Sequence, residues 1–160
     1  MGIEFEELVA PVTDLRDGDP LDSWPWLVGP RAQPLLLTAL GDMFIEQPGG
    51  AVDFLDTYEG TLKPAGVDRS AWRLAFRDVD SLNAWFAPDL VAELRGRGLT
   101  LAPGQSYSPA HPPVLGGSME PENFERVSWR VHFILMGHIH EQVKDLPPGT
   151  PITGFDVVWK

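Results

Sequence analysis

Hydrophobic and polar positions change their period along the chain, and the changes mark its elements. Over residues 34–65 the pattern is that of strands and tight turns. Leu35-Leu36-Leu37 and Met43-Phe44-Ile45 are apolar, β-prone runs that predict a first strand, interrupted at Gly41-Asp42 by a bulge or a close backbone approach. Gln47-Pro48-Gly49-Gly50 is a strong turn signal. Val52 and Phe54 then alternate with Asp53 and Leu55, a second strand with cover on both faces. Thr57-Tyr58-Glu59-Gly60 turns the chain into a third strand from Thr61. Connections this short permit only antiparallel pairing, so the stretch predicts a β-meander.

From residue 67 to 99 the period becomes helical. Asp68 is placed to cap a helix carrying Trp72 and Phe76 four apart on one face. Asp80 or Ser81 can cap a second segment with Leu82, Trp85 and Phe86. Pro88 suits the first turn of a third, with Leu90, Val91 and Leu94 as its stripe. Gly96 or Gly98 ends it. Residues 103–121 form a Pro- and Gly-rich stretch with no evident regular structure, long enough to be a binding loop or a strap over the core.

Phe124–Trp129 reads as strand. Beyond it two periods compete: Val127, Trp129, Val131, Phe133 and Leu135 alternate, whereas Val131, Leu135, Ile139 and Val143 recur every fourth residue. The second pattern lasts longer and stops at Leu146-Pro147-Pro148-Gly149, predicting a helix over 130–145. Gly137 inside it costs about 1 kcal/mol against Ala, so another element is expected to press close there. Thr150–Trp159 reads as a last strand or an extended tail. Residues 1–33 are short on period. Glu4, Glu6 and Glu7 interleave with Ile3, Phe5 and Leu8 as a short helix or edge strand, and Trp24-Pro25-Trp26 is a core anchor or a ligand platform.

The expectation is therefore an α+β protein, an antiparallel meander packed against several helices. Residues 1–23 form an N-terminal extension and 24–160 a single domain. Composition fits: 160 residues with 43% hydrophobic content, six Trp and eight Phe are globular, not disordered. With no Cys, disulfides and thiolate metal sites are excluded. Neither a signal-peptide pattern nor an apolar run of spanning length is present, which makes the cytoplasm the expected location, without a membrane partner. The net charge of −11 repels phosphate backbones, so no direct nucleic-acid binding is expected, and a basic protein partner is favoured.

Candidate chemistry is sparse. On a helix His138 and His140 lie about 200° apart, and His132 and His140 share a side about 12 Å apart, so neither pair can chelate one ion. No metal and no cofactor is expected. Asp42, Asp53, Asp56 and Glu59 gather around the meander, where a hydrolase would need two carboxylates converging on a pocket. Phosphate-cradle and nucleophile-elbow motifs are absent, and the serines show no partner order. No catalytic residue is assigned.

The order of residues adds one further reading. Leu36–Ile45, Val52–Thr57, Tyr107, Pro112-Pro113-Val114-Leu115-Gly116-Gly117, Glu122-Asn123, and Ile139-His140 through Lys144–Thr150 resemble one bacterial family over about residues 24–153. Formerly a domain of unknown function, it is now named after the immunity protein against a DNase effector of type VI secretion. The resemblance implies an inhibitor that binds a cognate protein toxin in the cytoplasm, without catalysis and with no oligomeric state specified. Ser106 stands where relatives often carry Cys, implying no thiol chemistry there. An acidic inhibitor suits a nuclease, whose cleft is basic. The expected contact residues are Asp42, Asp53, Asp56 and Glu59 of the meander, with Tyr107 and His111 of the loop. The alternative is a regulatory or scaffold module using Trp24, Trp26 and the Pro-rich loop.

Overall fold

A computed structural model describes residues 2–152 and 154. Its centre is an antiparallel sheet of β1 (Gln33–Leu37), β2 (Met43–Glu46), β3 (Val52–Asp56) and β4 (Thr61–Gly66), in that order. The single interrupted strand expected over residues 35–45 is in fact a hairpin, β1–β2. Thr38 and Asp42 close its turn, the Thr38 N–H donating to Asp42 O at 2.8 Å. Gly41 supplies the left-handed backbone, at φ +89°.

Three helices follow: α1 (Arg69–Ala75), α2 (Val79–Phe86) and α3 (Pro88–Gly96). The Asp68 side chain caps α1, accepting from the Ala71 N–H at 2.8 Å. The cap of α2 is Asp78, not Asp80 or Ser81. Its carboxylate takes both the N–H and the hydroxyl of Ser81, which starts the helix one turn earlier than the apolar residues suggest. Pro88 opens α3 as expected.

The stretch read as a loop contains a strand. β5 (Gln105–Pro109) pairs antiparallel with β6 (Phe124–Ser128), and the Tyr107 N–H donates to Ala39 O at 2.8 Å. Gln-Ser-Tyr-Ser-Pro conceals its strand character because small polar residues occupy buried positions. The last element is α4 (Trp129–Val143), matching the expected helix. Thr150–Ile152 is without regular structure, and the rest of the extension to Trp159 lies outside the described residues, Gly154 apart.

The sheet is covered on both faces, as the β3 pattern required. One face meets α1–α3 through Phe44, Phe54, Trp72, Phe86, Val91 and Leu94. Phe44 is the hub, with ring centroids 5.2 Å from Trp72 and 5.1 Å from Trp85. The other face meets α4 and the Trp24 segment through Leu37, Met43, Ile45, Leu55, Trp129, Phe133 and Met136. Leu8 and Ala10, in the stretch expected to be an N-terminal extension, are also buried, and the Ala10 N–H donates to Leu37 O at 3.0 Å.

α4 buries only part of the stripe its sequence suggested. Ile139 is buried, Leu135 and Val143 are half-buried and Val131 is 41% exposed, whereas Trp129, His132, Phe133, Met136, Gly137 and His140 are buried. The reason is packing against small residues. A Cβ on Gly41 would lie 2.3 Å from the His132 ring, one on Gly60 2.5 Å from the His140 ring, and one on Gly137 2.3 Å from Ser23 O. Gly137 thus admits a close backbone approach, as its cost in a helix implied. The neighbouring Trp24 is an anchor: fully buried, it donates its indole N–H to Phe133 O at 3.1 Å.

Gly41 and Gly60 also hold positive φ, at +89° and +68°. Ala at either position adds backbone strain to a clash with a buried ring. Each substitution is expected to destabilise by about 2–4 kcal/mol, measurable as a lowered urea midpoint.

Candidate functional site

Four side chains that the sequence did not connect form one buried hydrogen-bonded chain. Thr57, at the exit of β3, donates its hydroxyl to Asp42 Oδ1 at 2.8 Å, and its N–H reaches the same oxygen at 2.7 Å. Thr57 Oγ1 lies 2.8 Å from His132 Nε2, and Ser108 Oγ lies 2.8 Å from His132 Nδ1. Since the Thr57 proton is committed to Asp42, His132 donates through Nε2. Burial keeps the imidazole neutral, so its Nδ1 accepts from Ser108. His140 Nε2 approaches Thr57 O at 2.8 Å from the other side. The two histidines thus converge on one threonine.

Burial sets the electrostatics. It presses His132 down to about 3 and also lowers His140. Asp42 is raised well above the ordinary carboxylate range, first by burial and then by the nearby Asp56 charge. A Ser–His–Thr–Asp order invites comparison with a nucleophilic relay, but Ser108 is buried and does not line the cleft formed by residues 16–34. What this arrangement does is join strand, turn, ribbon and helix. The sequence signal that could have found it is the two-turn spacing of His132 and His140.

The residues expected at a contact surface are divided. Asp42 and Tyr107 are interior, which corrects their placement: Asp42 belongs to the buried chain, and Tyr107 donates its hydroxyl to Leu99 O. Asp53 and Asp56 are half-buried, on opposite faces of β3 by their odd spacing. Asp53 accepts from Gln47 Nε2 at 3.0 Å. Asp56 Oδ1 accepts the N–H groups of Tyr58 and Glu59, and Lys63 bridges Asp56 and Glu59 at 3.6 and 2.7 Å. Glu59 and His111 are exposed. The alternative aromatic platform is divided as well: Trp24 is sealed in the core, and half-buried Trp26 donates to Gly137 O at 3.3 Å.

His111 sits in a loop that is open to solvent yet fixed in shape. Asn123 Oδ1 accepts the His111 N–H at 3.0 Å, while its Nδ2 donates to His111 O at 2.8 Å and Ser118 O at 2.7 Å. The Gly117 backbone presses so close that a Cβ there would meet His111 O at 1.7 Å. The Pro-Pro-Val-Leu-Gly-Gly run and Asn123 are therefore one device, a turn and its clamp.

Residues 69–140, from the start of α1 to the second buried histidine, match the family model described as T6SS immunity protein Tdi1, C-terminal. Over this span, a little under half of its length, the chain is similar to the C-terminal domain of a type VI secretion immunity protein. The match takes in Tyr107, the Pro-Pro-Val-Leu-Gly-Gly turn, Glu122-Asn123 and Ile139-His140; the meander and the Lys144–Thr150 motif of the resemblance lie outside it. No curated protein matches the chain. Among the described residues no helix is long and apolar enough to cross a membrane.

Two measurements follow from the buried chain. His132 has a folded pKa below its unfolded value of about 6.5, so its contribution to stability is complete above that pH and is lost as pH falls toward 3. Asp42 runs the opposite way, its raised pKa favouring the fold at low pH and losing that benefit as pH rises. In Asp42→Asn, which keeps the acceptor for Thr57, the histidine slope stands alone. Stability should drop by about 2 kcal/mol from pH 7 to pH 5 in that variant, and by less in the parent chain. Ser106 is fully buried and its hydroxyl has no partner among the described residues. Ser106→Ala should therefore gain about 1 kcal/mol in urea denaturation.

Proposed function

We propose that this chain neutralises a cognate bacterial toxin by stoichiometric binding, and that the toxin is a secreted nuclease. The observation that carries the reading is the family match over residues 69–140. Electrostatics supports the nuclease. A protein of net charge −11 is drawn to the basic cleft that phosphate binding demands, and is repelled by the nucleic acid itself. In this reading no bond is made or broken by the inhibitor, and it needs no cofactor. It works in the cytoplasm, where the toxin would reach its target.

The acidic contribution comes from the meander residues that reach solvent, Asp53, Asp56 and Glu59, with His111 on the clamped loop. The buried chain through Thr57 serves this indirectly. It holds the β3–β4 turn, and therefore Glu59, at a fixed place on α4, so little ordering is left for binding to impose. Asp42 belongs to that support, while Tyr107 anchors β5 through Ala39 O and Leu99 O.

Co-expression with each toxin encoded beside the gene should restore growth for one of them, and the purified pair should elute as a one-to-one complex. Its association rate should fall by about tenfold or more between 50 and 500 mM salt, the mark of steering by opposite charge. Protection by no neighbouring toxin would overturn the proposal.

A further inference from the structure

One corner of this acidic protein is apolar at its surface and balanced in charge, with Arg69, Arg73 and Arg77 against Asp68, Asp78 and Asp80. The three most exposed large hydrophobic side chains among the described residues are Val67 at 82%, Val79 at 66% and Leu74 at 59%. All flank or belong to α1 and the first turn of α2. Leu74 lies two residues past the buried Trp72, and so on the far side of α1 from the core. The turn from Leu74 to Val79 is tight: the Arg77 N–H donates to Leu74 O, and the Asp78 N–H to Ala75 O.

Charge singles out the same corner. Lys63, Arg69, Arg95, Arg97, Arg130 and Lys144 are ion-paired, and Arg16 and Arg126 donate to carbonyls. Arg73 and Arg77 do neither among the described residues, and both are exposed. Only Arg31, in the 640 Å³ cleft lined by residues 16–34, shares that condition. Two unpaired guanidiniums therefore stand beside Leu74 and Val79 in a chain with almost twice as many acidic as basic residues.

The corner is also held rigid. Asp68 and Asp78 cap the two helices. Arg69 grips Glu46 of β2 through two hydrogen bonds, of 2.6 and 3.0 Å. Isolated exposed apolar residues need no explanation, but three within thirteen residues, interleaved with two unpaired Arg, have the composition of a binding hot spot. Arg anchors bind carboxylates in a forked geometry that Lys cannot supply.

We infer that the α1–α2 corner is the anchoring contact with the toxin, and that the toxin meets it with carboxylates set around an apolar side chain. This rests on the immunity reading and divides its labour. The acidic residues Asp53 and Glu59 speed the encounter, whereas Arg73, Leu74 and Arg77 hold the complex once formed. A nucleic-acid occupant is disfavoured by the chain's net charge.

Surface plasmon resonance with the neighbouring toxin that the unaltered chain neutralises tests this. Leu74→Asp and the double change Arg73→Glu, Arg77→Glu lie at the surface, and thermal melts verify that the fold survives. Each should raise the dissociation rate by about 100-fold with little change in association. Asp53→Asn with Glu59→Gln should instead slow association and flatten its salt dependence. Unchanged dissociation in both corner variants overturns the inference and leaves the immunity reading intact. If no neighbouring toxin binds the unaltered chain, both fall. Two further results would overturn the inference by giving the corner another occupant. One is a dimer of the unaltered chain, seen by sedimentation, that the double change dissolves. The other is binding of a duplex DNA that the double change abolishes.

Discussion

Thr57 is the point on which the two halves of the molecule meet. Its hydroxyl, N–H and carbonyl are all engaged, with Asp42 on one side and His132 and His140 on the other. A fully satisfied polar group inside a core specifies one arrangement, because any shift leaves a donor or acceptor without a partner. Apolar packing of α4 on the sheet would tolerate a small slide or rotation. The two imidazoles do not, since each sits over a turn glycine with no space for a side chain. Position comes from the hydrogen bonds, and the bulk of the stabilisation from the aromatic and aliphatic faces around them.

Much of the architecture could be read from residue order. The meander, the three short helices, the β6 strand and the extent of α4 follow from period, turn residues and caps. What could not be read has a common physical origin: polar side chains in buried places. His132 and His140 made the inward face of α4 look like its outward face. Ser106 and Ser108 made β5 look like loop. Asp42 looked like part of an acidic surface because nothing local announces that it is buried and hydrogen-bonded to Thr57. Strength of pattern was misleading in the other direction at Val131, which suggested a core stripe but is apolar and exposed. Leu74 and Val79, also apolar and exposed, form the corner assigned to binding.

The charge distribution has a similar logic. Among the described residues six of the eleven Lys and Arg are in ion pairs: Arg69 ties α1 to β2, Arg95 ties α3 to Glu7, and Arg130 ties α4 to Asp14. The remaining excess is negative and spread over the surface. That field acts at long range and is screened within about 8 Å at physiological salt. Short-range recognition needs something else, and the unpaired Arg residues beside Leu74 supply a different chemistry from the field that surrounds them.

The bonds that join α4 to the rest are long in sequence: Trp24 reaches across 109 residues, Thr57 across 75 to His132 and across 83 to His140. The meander, by contrast, closes through neighbouring hairpins. During synthesis its strands leave the ribosome well before α4 has been made. Throughout that interval the sheet face bearing Leu37, Met43, Ile45 and Leu55 lacks its cover. Completion is thus a late closure, entropically costly and slow relative to the hairpins, and the nascent chain's greatest exposure to misassembly falls in the time between β4 and the final helix.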